Sequence, residues 1–198
     1  MMDGRNAAKV RPPWHPGQAW ITPESILGPV RAAMGGTIAL DPCTEPDTPT
    51  RAERFYALPT NGLAEPWDAS TIWCNPPYGE ARRLWIRRCL EVGQARRARI
   101  ALLVPADVYT ELGQAVLTGS DAVVFIAGYP AFAHPESGAL RRPVHRGLML
   151  ATWGLDLAPL AGLGVIVRTV VTELVTGAHS FVPWGRNGAP PSPRRRHR

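Results

Sequence analysis

Asn75-Pro76-Pro77-Tyr78 follows directly on the apolar run STIWC at 70–74, and this junction constrains the chain more than any other stretch. Proline cannot donate to a sheet ladder, and the residue before a proline is pushed out of helical geometry. The junction therefore predicts a strand that stops abruptly, with Asn75 held on stiff, extended backbone. It presents an amide, a carbonyl and an aromatic ring in fixed order.

The surrounding pattern places that strand in an α/β fold. Thr22-Pro23-Glu24 predicts a helix start, with Thr22 as the cap and Pro23 first in the helix, running over 23–34 to Gly35-Gly36. TIALD (37–41), RFYAL (54–58), RIALLVP (99–105), DAVVFIAG (121–128) and RGLMLATWG (146–154) have strand length. Residues 80–94 are helical in period, with Trp85, Ile86, Cys89 and Val92 on one side and Arg83, Arg87 and Arg88 on the other. A further helix fits 107–118, and 164–175 suits helix or strand equally. This alternation predicts a mostly parallel sheet with helices on both faces, binding its ligand at the C-terminal strand ends, where Asp41 and Asn75 fall.

With 198 residues, 45% hydrophobic and 19% charged, the chain has room for one domain with a real core. The expected division is a flexible segment at 1–17, a domain at 18–178 and a basic tail at 179–198. Residues 1–185 hold 17 basic against 16 acidic side chains, so most of the +6 charge lies in the tail, which suits nonspecific contact with polyanions. Cys43, Cys74 and Cys89 have neither disulfide nor zinc-ligand spacing. The reading is a soluble, cytoplasmic protein with no structural metal and no membrane partner.

Asn-Pro-Pro-Tyr has a chemical use. The Asn75 amide oxygen and the Pro76 carbonyl can each accept one N–H of a planar exocyclic amino group, helping its lone pair localise toward an electrophile. Tyr78 can stack on the ring that carries it, and Pro77 stiffens the loop. The bland reading is a turn, since all four residue types favour turns.

The ordered set WITP (20–23), LDPCTE (40–45), RFYAL…NGL…W (54–67), WCNPPYG (73–79) and LLVPAD (102–107) resembles the short phage-type Dam family of DNA adenine-N6 methyltransferases over about residues 18–153. The resemblance implies a Rossmann-like class I fold, S-adenosylmethionine as cofactor and DNA as partner in a bacterial or phage-infected cell. It implies catalysis at Asn75, Pro76, Pro77 and Tyr78. Trp20, Thr22 and Pro23 would line the methionine end of the cofactor, Asp41 and Pro42 its loop, and Asn61 its adenine. Arg82, Arg83 and Arg142 are candidate DNA contacts, and the solvated face of a helix or loop is the alternative for each.

This chain departs from related enzymes in lacking Gly-x-Gly after Asp41, and YPAFAHPESGALRRP (129–143) stands where the family has an arginine- and lysine-containing segment. Two other functions fit the clamp: a glutamine-N5 protein methyltransferase, and a noncatalytic DNA-binding protein derived from a methyltransferase. A zinc deaminase does not fit, since Pro42-Cys43 lacks its second cysteine and its His-x-Glu. No phosphate-binding GxxxxGK[ST] loop is present.

Overall fold

A computed structural model describes residues 20–46, 49–135, 137–141 and 147–169. The expected segment 1–17, the tail 179–198 and Arg142 lie outside the described residues.

Helix α1 (Glu24–Ala33) buries Ile26, Leu27 and Val30 on one stripe, each such side chain contributing about 1.5–3 kcal/mol on leaving water. Its end is set by Gly35 and Gly36, whose N–H groups donate to Ala32 and Arg31 at 3.0 and 2.8 Å while both residues take positive φ. Then follow β1 (Leu40–Asp41), β2 (Arg54–Phe55), β3 (Thr71–Cys74), α2 (Arg82–Gln94), β4 (Arg99–Pro105), α3 (Glu111–Gly119) and β5 (Ala122–Ile126). A small hairpin, β6 (Phe132–Ala133) with β7 (Leu140–Arg141), precedes β8 (Leu148–Trp153), a 3-10 helix (Ala158–Leu163) and β9 (Gly164–Arg168). Helix α3 begins later than the pattern suggested because Thr110 caps it, its hydroxyl accepting from Gly113 N at 3.0 Å. The ambiguous stretch at 164–175 is strand over Gly164–Arg168, and 170–175 lie outside the described residues.

Seven strands form one sheet in the order β2-β1-β3-β4-β8-β5-β9. The expectation of a mostly parallel sheet is corrected: β2, β1, β3 and β4 run parallel, but β8 is antiparallel to both neighbours and β9 to β5. The reason lies in the connections. Among the described residues no helix separates β5 from β8, so the chain returns in the reverse sense. All six residues of β8 are buried, and a run buried on both faces reads alike in either direction.

Helices do cover both faces. Trp73, Ala101, Leu103, Val124 and Leu150 point toward α1 and the 3-10 helix. Ile72, Cys74, Leu102, Val123 and Met149 point toward α2 and α3. Among the described residues no helix is long and apolar enough to cross a membrane, and no side-chain cluster could hold a metal.

Candidate active site

The chain leaves β1 toward β2 on one side, then crosses to β3 on the other, so the strand order reverses between β1 and β3. Open α/β sheets part their loops at such a point and leave a crevice at the carboxyl ends of the strands. Asp41 ends β1, and Asn75 follows the last residue of β3. The two residues line one cleft, together with Trp20, Thr22, Thr44, Glu45 and Thr50.

Asn75 is tied down by the segment that precedes α1. Its Nδ2 donates to the Trp20 carbonyl at 3.2 Å and to the Thr22 hydroxyl at 3.0 Å. Thr22 therefore does not cap α1 as its sequence context suggested. Pro23 is the cap residue, no side chain caps the helix, and the Pro23 carbonyl accepts from Ile26 and Leu27. Giving up a threonine cap costs about 1 kcal/mol, so the hydroxyl serves the site at the expense of the helix.

Asp41 is 2% exposed and organises the loop after β1. Its Oδ1 accepts from Cys43 N at 3.1 Å and its Oδ2 from the Thr50 hydroxyl at 2.9 Å. Burial pushes its carboxyl up to about 6, against the pull of the donors from Cys43, Thr50 and Thr44. Pro42 is buried beside it. Asn61 is not among the residues lining the cleft: its Oδ1 accepts from Leu63 N at 3.2 Å, closing a local turn. That turn still stands against the Asp41 loop, because Gly62 packs on the Pro42 carbonyl so closely that a Cβ there would lie 1.9 Å from it.

The structure brings Trp20, Thr22, Asp41 and Asn75 together, with Pro23 and Pro42 next to them in the chain. Pro76 and Pro77 are buried and Tyr78 is half-buried, all outside the walls of this cleft. The basic candidates separate. Arg82 turns inward to Asp107 at 3.5 Å, while Arg83 is exposed on α2. Arg88 pairs with Glu91 at 3.1 Å and covers the Trp67 ring at 5.8 Å, a structural use. Trp85 is fully buried and stacks near Trp67, the packing role expected of it.

Sequence spacing did not reveal the cysteines. Cys43 Sγ lies 3.7 Å from Cys74 Sγ and 3.4 Å from the Asn75 carbonyl, and all three thiols are buried. Tyr109 and Tyr129, 82% and 54% exposed, stand in the loops after β4 and β5 on the same rim.

Searches of curated proteins and of solved structures gave no significant match. A family model described as DNA N-6-adenine-methyltransferase (Dam) matches residues 12–166, a span that contains every wall of the cleft. The chain belongs to the Dam family and is an adenine-specific DNA methyltransferase.

Proposed function

We propose that the protein transfers a methyl group from S-adenosylmethionine to the exocyclic N6 amino group of adenine in DNA, on a Rossmann-like class I framework. The observation that carries this reading is the placement of Asn75 and Asp41 on one cleft at the point where the strand order reverses. The cleft residues suit the cofactor. Trp20 offers an aromatic face, and Asp41 and Glu45 offer carboxylates to a molecule that carries a cationic sulfonium and an ammonium. When bound, that cofactor supplies the methyl group in electrophilic form.

The chain's own residues then have distinct tasks. Asn75 Oδ1 and the Pro76 carbonyl accept the two N–H bonds of the amino group and aim its lone pair into the cleft. Pro77 removes slack from the loop, and Tyr78 stacks on the adenine taken out of the duplex. No base is needed before attack, because the nitrogen becomes acidic only as the new bond forms, and the proton it then sheds passes to solvent. Arg83, with Tyr109 and Tyr129 along the rim, meets the DNA outside the cleft.

The experiment is incubation with labelled S-adenosylmethionine and unmethylated genomic DNA, followed by nucleoside analysis. N6-methyladenine is expected, and Asn75→Ala should abolish it with cofactor binding retained. Transfer undiminished in Asn75→Ala would overturn the assigned chemistry.

A further inference from the structure

An asparagine that must accept from a substrate amino group has a problem of sense, because its amide is nearly symmetric in shape. Turned over, it would present two N–H donors to a group that is itself a donor. The Trp20 carbonyl decides the matter, and the Thr22 hydroxyl, able to donate or accept, adds a second hold on the sense so chosen. The Trp20 carbonyl cannot donate, so the atom 3.2 Å from it must be Nδ2, and the Thr22 hydroxyl 3.0 Å away accepts from the same nitrogen. Both N–H bonds are then spent within the protein, and Oδ1 is the atom left for a ligand.

The segment that supplies these acceptors is itself fixed from both sides. Ile21 and Ala133 exchange backbone hydrogen bonds of 2.9 and 3.2 Å, joining the segment to the β6–β7 hairpin. Pro23 anchors it to α1, and the Trp20 ring meets the His134 ring edge-on at 5.4 Å. Thr22 is 5% exposed, so little water competes for its hydroxyl.

We propose that Thr22 is a positioning residue for the transfer: its hydroxyl holds the Asn75 amide still in the sense that the Trp20 carbonyl sets, with Oδ1 offered to the target amino group. This rests on the reaction proposed above. It differs from a cofactor contact, which would act on cofactor affinity. The Trp20 contribution is backbone and survives substitution, so the hydroxyl is the part that can be removed.

The test compares Thr22→Val, nearly isosteric but without an acceptor, with Thr22→Ser, which keeps it. Turnover at saturating substrates, cofactor affinity by calorimetry and the NMR signals of the Asn75 side-chain amide, assigned by their loss in Asn75→Ala, are measured on all three proteins. Thr22→Val should lower kcat about tenfold, shift cofactor affinity less than about twofold, and speed exchange of the Asn75 amide protons. Thr22→Ser should restore all three toward wild type. Weakened cofactor binding with kcat intact, or a serine variant as slow as the valine one, would overturn the proposal. If wild type transfers nothing to adenine, the proposed reaction fails, and the NMR arm alone decides: amide signals unmoved by Thr22→Val overturn the lock, and signals altered by Val but restored by Ser support it.

Discussion

The guanidinium of Arg82 lies 3.5 Å from Oδ2 of Asp107, joining the chain that follows Tyr78 to the loop that leaves β4. Both side chains are less than a quarter exposed, so this cation is committed inside the protein. Its neighbour Arg83 is exposed and carries no such commitment among the described residues. Arg83→Ala should therefore reduce the salt slope of DNA binding by about 0.9, one phosphate contact, and leave the melting temperature unchanged. Arg82→Ala should do the reverse, lowering the melting temperature with the slope intact, and Asp107→Asn should follow it. Titrations over a range of salt, beside thermal melts, separate the two roles; equal slope losses in both arginine variants would contradict the division.

Gly62 holds the 61–64 turn against the loop after β1. A Cβ there would meet the Pro42 carbonyl at 1.9 Å and the Trp85 ring at 3.2 Å, and neither neighbour is a flexible chain end. Gly62→Ala should cost about 2 kcal/mol, a fall of roughly 4–8 °C in melting temperature for a chain of this size. Displacing the Asp41 loop should also weaken cofactor binding. A variant with wild-type melting and affinity would show that the contact yields freely.

Much of this geometry was legible in the chain because it depended on local stereochemistry. The proline pair after Cys74 ends β3 where expected, and Asp41 and Asn75 share one cleft because adjacent parallel strands bring their ends together. What depended on tertiary choice was not legible. Thr22 looks like a helix cap to any local rule, and only the fold reveals that Asn75 competes for its hydroxyl. Arg82 and Arg83 are adjacent and identical in type, so no pattern separates the half-buried, paired cation from the exposed one. The direction of β8 was hidden for the same reason: burial on both faces erases the alternation that reports it.

The three cysteines lie far apart in sequence, yet the fold packs Cys43 and Cys74 behind the Asn75 carbonyl. Burial pushes both thiols up, so each stays protonated and unreactive at neutral pH. The native protein should resist an aqueous disulfide reagent at pH 8, and all three thiols should react once denaturant is added. Rapid labelling of one thiol in native protein would contradict the packing around the site.

Asp41 makes the site sensitive to pH, with a sign opposite to that of a salt-bridged carboxylate. Its folded pKa is raised to about 6 from an ordinary 3.8, chiefly by burial, so between those values the folded state holds a proton that the unfolded chain has released. Stability from this group is present below the unfolded value and is lost as pH rises toward 6, an effect on the order of 3 kcal/mol for a shift of this size. Asp41→Asn keeps the shape without the titration. Relative to wild type it should be favoured more at pH 7.5 than at pH 4.5, as measured by denaturant melts at both. Cofactor binding should run the other way: ionised Asp41 attracts a cation, so affinity for S-adenosylmethionine should rise as pH passes from 5 to 7, and the rise should vanish in Asp41→Asn. A pH-independent affinity in wild type would mean that the carboxylate serves only the loop it organises through Cys43 and Thr50.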